Sequence, residues 1–172
     1  PQGVVYPKNN DDLVILTNLS SQKQYQQIVL SPRGGGTGTN GQSLTDGIVV
    51  DTSKHMNKIL EINTQEGWAR VQCGVVKDQL NAKIEPHGYF FAPELSTSNR
   101  ASIGGMVNTV AAGQGSCSYG KTRDHVLALK TILMDGSVLD TFAIDEVTLK
   151  KGQSKNNLAA RIYQLVDDID QN

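Results

Sequence analysis

No run of this sequence approaches the ~20 consecutive apolar residues that cross a bilayer, because every apolar stretch stops after a few residues. The first ten residues, PQGVVYPKNN, also lack the basic-then-apolar pattern of a secretory signal. Charge of one sign is missing too. Sixteen Lys and Arg face seventeen Asp and Glu, a net charge of -1 with no basic stripe, which argues against a nucleic-acid partner. Cysteine is scarce: Cys73 and Cys117 stand alone without a C-x-x-C, so these thiols by themselves build neither an iron–sulfur cluster nor a zinc site. They are able to pair, but two free thiols in a reducing, cytoplasmic compartment is the preferred reading, since a domain of this size does not need a disulfide. His55, His87 and His125 are scattered singly, without metal-ligand spacing. No G-x-S-x-G elbow occurs, which removes the commonest hydrolase reading.

What remains is an ordinary folding composition, 38% apolar and 19% charged over 172 residues, enough for one substantial core or two small lobes. The chain has no initiator methionine and reads as part of a longer protein. Asp11 and Asp12 are placed to cap a helix carrying Leu13, Leu16 and Leu19. Ile28–Leu30 reads as a buried strand ended by Ser31-Pro32, and residues 47–51 as a second strand. The alternation from Ile59 to Val76 predicts a hairpin turning near Gln65-Glu66-Gly67, with Trp68 in the core. A helix is expected over 76–84, ended by Pro86-His87-Gly88, then a loop over 89–104 and a small-residue helix over 105–112. Asp135-Gly136 predicts a second hairpin. Ser154 is read as the cap of a last helix whose apolar stripe is Leu158, Ile162, Leu165, Val166 and Ile169. The fold class is α+β: a small α/β lobe over about residues 1–55, then a larger lobe over 56–172 with a mainly antiparallel sheet flanked by helices.

The segment GGGTGTNGQS, residues 34–43, admits two phosphate-binding readings that both fail. Gly36, Gly38 and Gly41 spell G-x-G-x-x-G, but that fingerprint must open a helix, and residues 42–47 are too short and too rich in turn formers to supply one. Gly36 to Ser43 would be a P-loop if position 42 were lysine, but it is glutamine. The backbone chemistry survives, because five of the eight residues 34–41 are glycine. Successive peptide N–H groups can then turn toward one anion. Thr37, Thr39 and Asn40 offer side-chain donors, and Arg33 either contacts an anion or pins the loop. An ordinary flexible hairpin would not require glycine at adjacent positions.

A second glycine-rich segment, PELSTSNRASIGGMVNTVAAGQGSCSYG at residues 93–120, fits the same long ligand, although small residues there would also allow close helix packing. PRGGGTGTNGQSL, CGV at 73–75, APELSTSNRASIGGMVNT and SYGKTRDHVLALKTILMDGSVL, in that order over roughly residues 3–142, resemble the FAD-binding (PCMH-type) domain of the vanillyl-alcohol oxidase and p-cresol methylhydroxylase superfamily. Within it the chain is most similar to bacterial FAD-linked 2-hydroxyacid dehydrogenases, the D-lactate, glycolate and D-2-hydroxyglutarate enzymes. The large D-2-hydroxyglutarate type fused to an iron–sulfur segment is the best single match.

The resemblance implies a single two-lobed FAD-binding domain of a longer flavin-dependent oxidoreductase. That enzyme would oxidise a D-2-hydroxyacid to a 2-oxoacid by hydride transfer to flavin N5. The cap domain that holds the substrate would lie outside this chain, leaving the chain alone inactive and its last helix without part of its packing. Backbone amides of Gly34, Gly35, Gly36, Thr37 and Gly38 would hold the pyrophosphate, with Arg33 and Asn40 nearby. Pro93, Ser96 and Thr97 would lie along the flavin, while Ser102, Gly104, Gly105 and Thr109 would continue around the diphosphate and ribityl chain. Tyr119 and Gly120 would close this loop, and Val126 would meet the adenine through its backbone.

Thr37 stands where covalent members often carry a flavin-linked histidine, so the FAD would be noncovalent. Val110 stands where related dehydrogenases often have Asn. Any iron–sulfur cluster would belong to the rest of the parent chain, as would the electron acceptor's site and any peripheral attachment to the inner membrane. Tyr89, Phe90 and Phe91 are candidates to stack on the cofactor, but Phe90 and Phe91 cannot both point inward from an extended stretch. Two rivals remain: a reductase passing electrons from NADPH through FAD to an enolpyruvyl sugar nucleotide, and a module that binds a nucleotide or anion without redox chemistry.

Overall fold

Val49 and Val50 lie on the central strand of a three-stranded parallel sheet, and both are buried, as expected of a strand covered on both faces. The computed structural model describes residues 1–170. By packing it divides into two units, one of Pro1–Asn9 with Ile28–Val126 and one of Asn10–Gln27 with the described residues from Leu127 onward. Both are discontinuous in sequence.

In the first unit, strands β1 (Gly3–Val5), β3 (Ile48–Asp51) and β2 (Leu30–Arg33) pair in parallel in the order β1-β3-β2. Strand β2 therefore starts where the expected strand was to end, and it includes Ser31 and Pro32 opposite Val49 and Val50. Proline is tolerated because β2 is an edge strand, where its missing N–H breaks no ladder. The crossover from β2 to β3 is the glycine segment, and no helix forms between Arg33 and Ile48. Both phosphate-helix readings are excluded on this ground.

The expected hairpin follows, β4 (Ile59–Asn63) against β5 (Trp68–Val71), antiparallel, with Asn63 Oδ1 accepting from the N–H groups of Gln65 and Glu66 in the turn. Helix α2 (Lys77–Ile84) lays Leu80 and Ile84 against Val75 to form the core, with Ile59, Ile62, Ala69, Val71, Phe91 and Ile103 packed around it. Trp68 is not in this core. It is half-buried at the hairpin surface, its Nε1 donating to Glu66 Oε2 at 2.6 Å and the Arg70 guanidinium over its ring.

Helix α3 spans Ile103–Asn108, two residues earlier and shorter at its end than expected. Ser102 is its extended N-cap. The end is set by tertiary bonds: Thr122, fully buried, donates from both its N–H and its Oγ1 to the Ala111 carbonyl, at 3.0 and 2.7 Å. Held there, Ala111 returns its own N–H to Met106 O and Val110 its N–H to Val107 O. This is a Schellman closure that forces Val110 to φ +47°. The short helix α4 (Ser116–Tyr119) and a 3-10 turn, Thr122–His125, complete the unit.

The second unit holds helix α1 (Asn10–Ser20), the hairpin of β6 (Lys130–Ile132) with β7 (Val138–Asp140), and helices α5 (Glu146–Gln153) and α6 (Leu158–Asp170). Asp11 and Asp12 lie inside the first turn of α1 and do not precede it. There they face the positive end of its dipole. Helix α5 was not expected, and Ser154 ends it as C-cap and does not start α6. Asn157 caps α6 instead, its Oδ1 accepting from Ala160 N–H at 2.9 Å. The hairpin turn adds two acceptors, Asp135 Oδ2 for Leu158 N–H and Ser137 Oγ for Ala159 N–H. Ala159 and Ala160 are buried, but Leu165, Val166 and Ile169 of the apolar stripe are exposed.

A β-branched residue at positive φ is strained by about 1 kcal/mol, and Val110 is 38% exposed, so its side chain returns little in packing. Val110→Asn, which tolerates that backbone, is expected to raise the unfolding free energy by about 1 kcal/mol. Chemical denaturation checks this, and an unchanged or lower midpoint contradicts the strain. In α6, amides from 162 to 170 are expected to exchange with deuterium well before those of α2. Strong protection throughout 155–170 would contradict that.

Candidate functional site

The two glycine-rich segments meet. A Cβ on Gly34 would fall on Ser102 Oγ and lie 2.8 Å from Ser102 Cβ, and a Cβ on Gly35 would overlap the Arg100 carbonyl. At Gly35 the first segment thus lies backbone-on-backbone against Arg100, an approach open only to glycine, and at Gly34 it lies against the Ser102 side chain. Among the described residues, none of the N–H groups from Gly34 to Asn40 donates to a protein acceptor. These donors, at the carboxyl end of a parallel strand, are free for an anionic ligand.

Arg33 pins this loop. Its carbonyl accepts from Thr52 N–H and Oγ1, at 3.0 and 3.2 Å, and its guanidinium reaches Ser43 Oγ at 3.3 Å while lying against Gly36. Thr37 is half-buried in the loop, while Gly38 and Asn40 are exposed.

The N-terminus of α3 is mostly spent on the protein itself. Ile103 N–H donates to Val75 O and Gly104 N–H to Cys73 O, both at 2.8 Å. A Cβ on Gly104 would lie 2.6 Å from Cys73 Cβ, so Gly104 serves close packing. Gly105 N–H makes only a long 3.4 Å bond to Ser102 Oγ and is the donor of this turn still open to a ligand. Thr109 Oγ1 donates back to Gly105 O at 2.9 Å. Cys73 is a thiol, since burial pushes it above its ordinary value against a smaller opposing hydrogen bond from Thr52. Both cysteines are free.

Pro93 is fully buried and anchors the segment that leads to Ser96, exposed, and Thr97, half-buried. Thr97 O accepts from the N–H groups of Arg100 and Ala101. Of the adjacent aromatics, Phe91 faces the core, while Phe90 is exposed and meets Tyr119 edge-to-face at 5.5 Å. Tyr119 O lies 2.7 Å from His125 Nε2, and Gly120 takes φ +80°. The next turn is closed by Asp124, whose carboxylate accepts from Lys121 N–H at 2.7 Å. That bond, helped by Arg123, holds its pKa below the usual carboxylate value. Val126 follows this turn, its N–H donating to Arg123 O at 3.3 Å.

Three residues without a sequence signal shape the site: Thr122, which sets the end of α3, and Lys77 and Glu94, which pair across residues 93–98 at 3.9 Å. A buried Thr leaves no mark in the sequence. A lysine in the first turn of a helix reads as a solvated charge. Among the described residues, no cluster of His, Cys, Asp and Glu could hold a metal ion, and no helix is long and apolar enough to cross a membrane.

Residues 1–141 match the family model described as an FAD-binding domain. The chain belongs to the FAD-binding domain family. The resemblance read from its motifs is borne out, as is the α+β class with its antiparallel hairpins, and the cofactor is FAD. The chain is 57% identical to a D-2-hydroxyglutarate dehydrogenase of Pseudomonas putida over 98% of its own length and 17% of that protein. It is 34% identical to a glycolate oxidase subunit of Bacillus subtilis, over 82% of this chain and 30% of that one. In fold it is similar to an alkyldihydroxyacetonephosphate synthase structure, with a TM-score of 0.70 at 21% identity, over 85% of this chain and 26% of that one. The chain therefore spans about a sixth of the length of the first curated relatives, 17% and 16%.

The close approach of Gly34 to the Ser102 side chain and of Gly35 to the Arg100 backbone suits an FAD-binding domain, since it leaves a row of free N–H donors where side chains would stand. Gly35→Ala must push apart two backbones, which is expected to cost about 1–3 kcal/mol of stability and most of the affinity for FAD. Gly38→Ala meets only the movable end of Gln42 and is expected to change both little. Fluorescence titration with FAD and thermal melting of the two variants separate these outcomes.

Proposed function

We propose that this chain is the FAD-holding part of a flavin dehydrogenase that oxidises a D-2-hydroxyacid of the D-2-hydroxyglutarate kind to its 2-oxoacid. The geometric support is the contact between the two glycine segments, with free N–H groups from Gly34 to Asn40. The substrate reading is supported by the likeness to D-2-hydroxyglutarate dehydrogenases, 57% and 52% identical along nearly the whole chain.

FAD would supply the chemistry, accepting a hydride from the carbinol carbon, and the chain's own residues bind and orient it. The N–H groups of Gly34, Gly35, Gly36, Thr37 and Gly38 hold the diphosphate, with Asn40 beside them and Arg33 stiffening the loop. Gly105 N–H, Ser102 and Thr109 continue that hold, with Gly104 packing behind. Pro93, Ser96 and Thr97 face the flavin, Tyr119 and Gly120 close the far side, and the Val126 backbone meets the adenine. Attachment is noncovalent, because Thr37 offers no imidazole to the flavin. In this reading residues 1–172 form one domain of two lobes, and the substrate's pocket, any iron–sulfur cluster and the electron acceptor's site belong to the remainder of the protein. That protein is cytoplasmic, and any attachment to the inner membrane is made by its remainder.

The purified protein that carries this chain is expected to absorb near ~450 nm and to bleach with dithionite. Under anaerobic conditions D-2-hydroxyglutarate should bleach it as well, and this chain alone should bind FAD without responding to that substrate. A colourless protein that refuses added FAD would instead support a non-redox binding module. Bleaching by NADPH but by no hydroxyacid would support the sugar-nucleotide reductase reading.

A further inference from the structure

Lys77 is the one charged residue in the interior described for this chain, 4% exposed in the first turn of α2. Its stem is buried and its ammonium meets the Glu94 carboxylate at 3.9 Å, whereas the Glu94 side chain is 54% exposed. Removing an ammonium from water is costly unless a partner compensates it. A methionine or leucine of similar length would fill the same space at no such cost. The charge therefore needs an explanation beyond packing.

The surroundings supply one. The first turn of α2 is tied to the segment 94–102 at successive points. Lys77 N–H donates to Ala101 O at 3.0 Å, Asp78 N–H donates to Ser98 O at 3.3 Å, and Ser98 Oγ donates to Asp78 Oδ2 at 3.2 Å. Val76 and Ser102 form an isolated β-bridge. These ties hold the far end of the segment at 98–102, and the near end is anchored by Pro93, fully buried. Between them the Lys77–Glu94 pair is the ion pair that reaches residues 94–97. Glu94 also supports a second element, since its carbonyl lies against Gly113, where a Cβ would overlap it.

We propose that Lys77 is a positioning residue for the cofactor. Its buried ammonium draws Glu94 inward, and Glu94 in turn fixes the Ser96–Thr97 stretch on one side and the turn at Gly113 on the other. The inference rests on the reading of residues 93–97 as an FAD-facing segment. A segment already held in its bound arrangement loses less conformational freedom when the ligand arrives, so the pair acts on affinity more than on folding.

The test uses the protein that carries this chain, with Lys77→Met, Glu94→Gln and the double variant, titrated with FAD and melted without it. Each single substitution is expected to weaken FAD binding about tenfold and to alter the visible circular dichroism of the bound flavin, and the double variant should be no weaker than either. The FAD-free melting temperature of Glu94→Gln should fall, because the buried Lys77 ammonium loses its partner, whereas Lys77→Met removes that charge and should keep the parent value while still losing FAD affinity. If Glu94→Gln tightens FAD binding while Lys77→Met weakens it, Lys77 acts as a direct cation and the positioning role is overturned. Unchanged affinity in both variants, or losses that merely follow the FAD-free melting temperature, overturn it as well. If the parent protein itself refuses FAD, the cofactor reading fails first, a result distinct from normal binding by unaffected variants.

Discussion

The arrangement of the first unit depends on one steric fact: there is no side chain at Gly34 and Gly35. With a Cβ at either position, the β2–β3 crossover would stand off from residues 100–102. The loop's N–H groups and the turn of α3 would then face separate ligands or none. At Gly35 the approach is backbone to backbone, so there it cannot be recovered by repacking a flexible side chain. Gly104 against Cys73 and Gly113 against Glu94 repeat the device at the edges of the same region. The glycines thus act less as hinges than as the places where two chain segments are allowed to touch.

This explains why the core of the site is legible in the sequence and its supports are not. Adjacent glycines carry a direct message about backbone approach, and two such stretches in one chain can be read as a pair from the residues alone. The second stretch is legible only in part. Gly104 and Gly105 resemble an open helix N-terminus, but two of the three leading N–H groups of α3 are consumed by Cys73 and Val75. The carbonyls that consume them lie about thirty residues upstream, and no local pattern announces them. Lys77 is invisible for a related reason: burial of a helical lysine depends on what covers it.

The fold shows the same division. Both antiparallel hairpins and α2 follow from short-range signals, alternation in one case and spacing with Pro86-His87-Gly88 in the other, and they occur where expected. The frame of α3 does not, because a bond from Thr122 decides where Ala111 goes. Ser154 looks like the start of α6 only while α5 goes unseen, and the sequence of α5, EVTLKKGQ, offers few apolar residues to mark a buried face. Helix α6 is capped by Asn157 and by the Asp135–Ser137 turn, two features that each read only as a loop signal.

The chemistry of the candidate site is consistent with a geometric role. Peptide N–H groups carry no titratable proton, so a hold on a diphosphate built from them does not weaken as pH changes through the neutral range. The two groups near the site with displaced pKa values move away from that range: Cys73 upward by burial, and Asp124 downward by the hydrogen bond from Lys121. Neither is poised to exchange a proton at neutral pH. His125, the one histidine tied to the site region, has its Nε2 engaged at the Tyr119 carbonyl. A domain built this way holds and aligns a redox coenzyme, and in the proposed dehydrogenase the acceptance of the hydroxyl proton is a task for residues outside it.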